Sequence, residues 1–135
     1  MSLQEFLNSN PVDNLTDDVV VSPRFKGADG TVLTFKIKAM TSAEFNELQK
    51  ACTTVRKGRK IEFDSQRFNL RSVINHTVVP DFKDAASIQK LGCRTPEEYV
   101  QKVLLAGEVA TLANKISALS GFDVEMDELV EEAKN

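Results

Sequence analysis

The sequence has few of the side chains that carry out chemistry in proteins. Its 135 residues include one histidine, His76, and two cysteines, Cys52 and Cys93, which are far apart and form no CxxC pair. Metal sites gather several ligands at short spacings, and no such spacing occurs, so we predict neither a metal nor a cofactor. The motifs GxxxxGK(S/T), GxGxxG and GxSxG are also missing. A Cys–His pair is an alternative that no spacing supports, and we predict that the protein is not an enzyme.

Long apolar runs and a large net charge are missing as well. No window approaches the ~20 apolar residues of a membrane-spanning helix. The first residues, MSLQEFLNSNP, lack the basic start and apolar core of a signal peptide, so we expect a cytoplasmic protein. A net charge of −3 argues against a general binder of nucleic acid or anionic membranes. One basic cluster, RKGRK at residues 56–60, is consistent with phosphate contacts and equally with a solvated turn.

A β-hairpin is the clearest structural signal that is present. The segments VVVSPRF (19–25) and TVLTFKIKA (31–39) are rich in β-branched and aromatic residues. They flank a connection with Asp29-Gly30, a pair that tolerates the backbone angles of tight turns. Pro23 cannot donate a ladder hydrogen bond, which places the first strand at a sheet edge. The segment IEF (61–63) is predicted to be a short strand that could extend this sheet.

Most of the remaining chain has the start signals of short helices. The predicted first residues are Ser2 and Thr41, each with a glutamate three positions later, then Asp64, the segment after Lys83, and Thr95 followed by Pro96. The fold class predicted is α+β, with an N-terminal β-hairpin sheet and a short extra strand followed by a compact bundle of short α-helices. We expect one domain over residues 1–135, in which 1–17 is a flexible or short helical arm.

The C-terminal helical region is expected to bend. On one straight helix, the stripe with Val100 and Leu104 and the stripe with Leu112 and Ile116 would point roughly 160° apart. We therefore predict a break near Ala106-Gly107, with Gly107 as the corner and Glu108 at the N-terminal end of the next helix. Gly121 is predicted to end that helix, and Asp123 to cap a final helix over VEMDELVEEAKN.

Several stretches taken in order resemble the XkdN-like tail assembly chaperones of phages and prophages. They are SLQEFLNSNPVDNLTDDVVVSPRF, FKIKAMTSAEFNELQKAC, NHTVVPDFKDAASIQKLG, LLAGEVATLANKISALSGFD and ELVEEAKN, and together they span nearly the whole chain. The resemblance implies a non-enzymatic protein, absent from the finished virion, that keeps the long helical tape measure protein soluble and helps recruit tail tube protein. It also implies that in many relatives a ribosomal frameshift adds a second domain. This chain would then be the short form, without that domain.

Partner contacts are expected at apolar residues of the N-terminal turn and of the C-terminal helices. The candidates are Leu3, Phe6, Leu7, Tyr99, Val103, Leu112 and Ile116. For each of them, a place in the core is the competing interpretation. Self-association is a further expectation that the sequence leaves open. Two other functions stay open: a minor structural tail component retained in the virion, and a small nucleic-acid-binding regulator that would use residues 56–60.

Overall fold

The computed structural model describes residues 2–122 and confirms the α+β class. A short α1 and a 3₁₀ turn lead into a small sheet, and helices cover one side of it. The predicted final helix and its cap, Asp123, lie outside the described residues. The elements are α1 Leu3–Ser9, a 3₁₀ turn Val12–Asn14, β1 Thr16–Val19, β2 Phe35–Lys38, α2 Ser42–Ala51, β3 Thr53–Arg56, β4 Lys60–Phe63, α3 Ser65–His76, β5 Thr77–Val79, α4 Ala85–Lys90, α5 Pro96–Val103, α6 Ala106–Ser117 and a π-type turn Ala118–Phe122.

The N-terminal hairpin exists, but its first strand lies earlier than predicted. β1 pairs antiparallel with β2 in the register Thr16↔Lys38 to Val19↔Phe35. The predicted strand at 19–25 was therefore wrong beyond its first residue, because Pro23 interrupts it and only a bridge, Lys26↔Val32, closes the loop. The turn itself is where the sequence placed it. β1 begins at Thr16, so residues 16 and 17, which the prediction counted with the N-terminal arm, lie in a strand.

The third strand of this sheet is not the one that the sequence suggested. β4 forms as predicted, but it pairs with β3 in a separate two-stranded hairpin, and β5 is the strand that joins β2. The three-residue turn from Lys57 to Arg59 lets β3 and β4 meet at a small loop-closure cost. β5 follows the last residue of α3 directly and lies against β2 because α3 packs on the core.

The helix starts follow their capping signals. The side chains of Ser2, Thr41, Asp64, Asp84 and Thr95 each accept a hydrogen bond from the backbone N–H three residues later. The apolar faces of these helices and of β2 then meet in one core. Its most deeply buried apolar side chains are Ile37, Val73, Phe82, Val100, Leu112 and Ile116.

The chain turns by 115° between α5 and α6, and the turn brings the two apolar stripes into the same core. The predicted break is confirmed, but it lies at Leu104 and Leu105, where the backbone is extended. Gly107 is already inside the first turn of α6 and has no positive φ, so its predicted role as the corner was wrong. A different glycine, Gly121, has φ +96° just beyond α6, as expected of a residue that ends a helix.

Arg24 and Glu108 hold this corner. Glu108 accepts a hydrogen bond from the backbone N–H of Leu105 at 2.7 Å, which caps α6. The Arg24 guanidinium binds the Glu108 carboxylate at 2.6 and 2.9 Å. It also donates to the carbonyl oxygen of Val103, at the end of α5, at 3.0 Å. One side chain from the N-terminal loop therefore ties together both helix ends that meet at the corner.

Candidate partner-binding surface

The side chains that could react or bind a metal are dispersed and mostly buried. Cys52 is buried, Cys93 is partly buried, and His76 is 3% exposed at the end of α3. Burial lowers the pKa of His76 below its usual 6.5, while the nearby Glu44 acts in the opposite direction. Within residues 2–122, no three His, Cys, Asp or Glu side chains lie close enough together to hold a metal ion. His76 is thus a core side chain, and its burial favours the neutral imidazole.

Two of the predicted partner-binding residues belong to the core. Leu112 and Ile116 are both 0% exposed in α6, so they have no surface to offer to a partner and that part of the prediction needs correction. They are buried because the α5–α6 corner turns their stripe inward. Tyr99 and Val103 are partly buried and pack against the core, and the Tyr99 ring lies 6.2 Å from the ring of Phe82.

The three predicted residues of α1 are exposed. Leu3, Phe6 and Leu7 are 73%, 50% and 55% exposed, and no residue of α1 is buried. The helix is held locally, because the Ser2 side chain accepts from the N–H of Glu5 at 3.1 Å and the Glu5 carboxylate accepts from the N–H of Ser2 at 3.3 Å. Its apolar side chains are therefore presented to solvent on an ordered turn.

A second apolar surface was not predicted from the sequence. We call it the aromatic groove, an open cavity of about 310 Å³ lined by Met40, Phe45, Gln49, Phe63, Phe68, Ser117, Ser120 and Phe122. Successive rings are in contact: Phe63–Phe68 at 5.5 Å, Phe68–Phe45 at 5.8 Å and Phe45–Phe122 at 5.1 Å between centroids. Four aromatic rings from four different elements thus form one wall.

The hairpin of β3 and β4, which we call the exposed hairpin, extends this surface. Val55 and Ile61 are directly opposite each other in the register and are each 71% exposed. Strand alternation puts Phe63 on the same face, so the apolar face of the hairpin continues into the aromatic groove. The other face carries an Arg56–Glu62 ion pair at 3.1 Å. The hairpin is therefore amphipathic, and no described element covers Val55 and Ile61 on its apolar face.

A larger cavity has a different character. It has a volume of about 640 Å³ and lies between α3 and the α5–α6 corner. Polar residues of α3, such as Gln66, Arg67 and Asn69, line it together with Gln101 and small or apolar residues of α6. This mixed lining suits an apolar helix face less well than the aromatic groove does.

The groove was missed because its residues are scattered along the chain. Phe45 carries a helical periodicity that indicates a core residue, and Phe63 and Phe68 belong to different elements. Only the fold brings their rings together with that of Phe122. The sequence does show that phenylalanine dominates the aromatic residues, with 8 phenylalanines against one tyrosine and no tryptophan. This composition does not indicate which rings meet in the fold.

No single helix within residues 2–122 has the length and apolar character needed to cross a bilayer. α5 and α6 reach that level only when they are counted together across their 115° bend.

Comparison with known proteins gives consistent matches along the chain. A family model described as phage XkdN-like tail assembly chaperone protein matches residues 3–134. The uncharacterized protein YqbN of Bacillus subtilis (strain 168) is 35% identical, and the match covers 98% of this chain and 93% of YqbN. The phage-like element PBSX protein XkdN of the same strain is 33% identical with the same coverage. The crystal structure of YqbN superposes with a TM-score of 0.73 at 34% identity, covering 91% of this chain and 98% of that chain.

Proposed function

Because the chain belongs to the family of phage XkdN-like tail assembly chaperones, we propose that it binds the tape measure protein of its own phage and helps recruit tail tube subunits around it. The binding takes place in the bacterial cytoplasm before tail assembly. It involves no chemical step, since the role of the family is non-catalytic. The work of such a protein is to cover apolar surface on the client until assembly.

The aromatic groove is the observation that supports this proposal most directly. A long helical client exposes apolar stripes, and an amphipathic helix binds most readily in an apolar groove that receives its i, i+3, i+4 and i+7 side chains. Aromatic side chains, phenylalanine included, bury large apolar areas and contribute strongly to binding at protein interfaces. Phe122 is 62% exposed and Phe63 48%, so both rings are accessible at the edge of the groove.

The apolar stripe of α1 supplies a second contact for the same client. Leu3 and Phe6 are exposed on a capped helical turn, so their side chains are accessible to a partner. Leu112 and Ile116 are no longer part of the proposed site. Tyr99 and Val103 stay as marginal candidates, because they are only partly accessible.

Co-expression with the tape measure protein of the same phage tests this function. The wild-type chain is expected to raise the soluble fraction of the client and to co-purify with it. Replacing both accessible rings, Phe63→Ser with Phe122→Ser, should weaken the complex by at least about tenfold, because two aromatic contacts with the client are lost. A matched control is Leu33→Ser, because Leu33 is 51% exposed and lies outside the groove.

The outcomes separate clearly. If the client stays insoluble with wild-type protein, and no complex forms with either the client or the tube protein, the proposed function is wrong. If the control variant loses binding as fully as the groove variant while both stay folded by circular dichroism, the groove is not the binding site. Quantifying the chain in purified particles by mass spectrometry addresses the alternative of a structural tail component, which would be retained at stoichiometric amount.

A further inference from the structure

The tip of the exposed hairpin concentrates positive charge in a chain whose net charge is −3. Residues 56–62 hold four cations and one carboxylate, and that carboxylate pairs with Arg56. Lys57, Arg59 and Lys60 lie at or beside the turn and are exposed, and none of them forms an ion pair with another described residue. The proposed client site accounts for the apolar face of the hairpin but leaves these three charges unexplained.

The charge lies at one end of a continuous apolar path. Along the wall of the aromatic groove, from Phe122 to Phe63, neighbouring ring centroids are 5.1 to 5.8 Å apart. Phe63 shares its strand face with Ile61, the residue next to the basic tip. The rings and the four-residue strand β4 together extend at most about 30 Å, a length that a helix of roughly 20 residues covers. A helix whose apolar stripe follows this path therefore ends beside the cations.

A phosphate backbone is the other ligand that basic turns bind, and the surroundings of this turn argue against it. Val55 and Ile61 lie directly behind the turn on one exposed face, where a phosphate backbone would leave their apolar surface unused. The turn residues 57–59 include no aromatic ring on which a base could stack. A partner that satisfies both features of the hairpin carries an apolar stripe with carboxylates beside it.

We propose that the aromatic groove and the exposed hairpin bind an amphipathic helix whose apolar stripe is bordered by carboxylates, with those carboxylates beside Lys57, Arg59 and Lys60. The tape measure protein as the source of this helix rests on the proposed function, whereas the charge preference of the surface does not. Charges at the rim of an apolar contact select the partner, because opposite charges attract there and like charges repel. The hairpin tip thus selects, among the apolar stripes of a long client, those with acidic borders.

Three synthetic peptides of roughly 20 residues test this charge preference. They share one leucine stripe and carry glutamate, glutamine or lysine at the bordering positions, three residues of similar helix propensity. Fluorescence anisotropy with the full chain should give the glutamate peptide a dissociation constant at least about tenfold below that of the lysine peptide, with the glutamine peptide between them. Added salt should narrow this range, because exposed charges are screened.

Charge reversal shows whether the hairpin tip is the source of the preference. Lys57→Glu with Lys60→Glu should abolish the advantage of the glutamate peptide, since two attractive charges become repulsive, and should leave the affinity for the glutamine peptide within about twofold. The matched control is Lys26→Glu with Lys83→Glu, which makes the same change in net charge at exposed positions outside the groove and the hairpin. The control should keep the wild-type order of affinities. Arg59 stays in place because its φ of +63° makes the backbone sensitive to substitution.

Three results would overturn the inference. The first is that the glutamate peptide binds no more tightly than the lysine peptide. The second is that its advantage survives the reversal at Lys57 and Lys60 or disappears in the control as well. Either would leave the cations with only the role of keeping the hairpin edges from pairing with other chains. The third is that a duplex DNA oligonucleotide binds as tightly as the glutamate peptide at the same salt concentration and displaces it, which would make phosphate the ligand of the tip.

The peptide titrations contain no client, so the two proposals can fail separately. A tape measure protein that stays insoluble with the wild-type chain, while the peptides bind in the expected order, would defeat only the proposed function. A client that is solubilised and co-purifies, while the three peptides bind equally, would defeat only this inference.

Discussion

Two sets of elements use similar apolar residues differently, and we call them the packed side and the exposed side. On one side, the helices α3, α5 and α6 bury Val100, Leu112 and Ile116 completely. On the other, α1 and the exposed hairpin leave leucine, valine and isoleucine side chains more than half exposed. Burial on the first side stabilises the fold. The second side contributes little to stability and is where exposed apolar surface points to a partner.

This difference predicts a separation of effects between substitutions on the two sides. Changes on the packed side should act on the free energy of unfolding and affect binding only through loss of folded protein. Changes on the exposed side should act on binding and leave the free energy of unfolding nearly unchanged. The difference is tested by measuring the free energy of unfolding and the affinity for the client for each variant.

The largest effect on stability is expected for Leu112→Ala. Leu112 is 0% exposed at the centre of the core, so the substitution leaves a cavity that its neighbours only partly fill. The free energy of unfolding should fall by about 3 kcal/mol, measured by urea denaturation. Client binding by the fraction that stays folded should be unchanged. A specific loss of binding in folded protein would mean that Leu112 contacts the partner after all.

A smaller loss, about 2 kcal/mol, is expected for Glu108→Ala near neutral pH. The change removes the cap on the N–H of Leu105 and the partner of Arg24 at the α5–α6 corner. Without that clamp, the two helix ends lose the contacts that hold them at their angle.

The same residue gives stability a defined pH dependence. The hydrogen bonds from Arg24 lower the pKa of Glu108 from 4.5 to about 2. Between these two pH values the unfolded chain binds more protons than the folded one. The stability that Glu108 contributes is therefore fully present above pH 4.5 and is lost as the pH drops towards about 2. The difference between wild type and Glu108→Gln should therefore shrink over this window in urea titrations at pH 5, 4 and 3. A constant difference would show that the ion pair does not contribute.

The corner also shows how far the sequence could be interpreted. The incompatible apolar stripes around Val100 and Leu112 were enough to predict a bend, because both stripes had to reach one core. Helix starts were predictable for a related reason, since their capping side chains act within three residues. These local or periodic signals account for most of the fold.

Long-range contacts account for what the sequence could not show. The interaction of Arg24 with Glu108 joins residues that are distant in the chain, and so does the pairing of β5 with β2. The aromatic groove is missed for the same reason, while α1 was found because Leu3, Phe6 and Leu7 form a local pattern. Leu112 and Ile116 were assigned to the surface because periodicity shows that a stripe is apolar but not what it faces.

On the exposed side, Val55→Ser with Ile61→Ser should cost less than about 1 kcal/mol. The two side chains form one cross-strand pair that is 71% exposed at each position, so little burial is lost. The same variant should lose affinity for the tape measure protein if the client uses the apolar face of the exposed hairpin. Unchanged affinity, measured against Leu33→Ser, would confine the client to the aromatic groove and α1. A stability loss as large as that of Leu112→Ala would mean that the hairpin face is part of the core.

The smallest effect, and one of opposite sign, is expected at Gly107. It lies in the first turn of α6 with no positive φ, and a Cβ built there would meet no atom within 4 Å. Gly107→Ala should therefore stabilise the protein by about 0.5 kcal/mol, because alanine restricts the unfolded chain and has the higher helix propensity. Gly121→Ala is the matched control: its φ of +96° is unfavourable for any side chain, so it should destabilise by about 1 kcal/mol. Thermal unfolding of both variants separates the two glycines. If Gly107→Ala were the more harmful change, the bend would depend on the glycine rather than on the Arg24–Glu108 clamp, and the packed side would be held together differently from the structure described here.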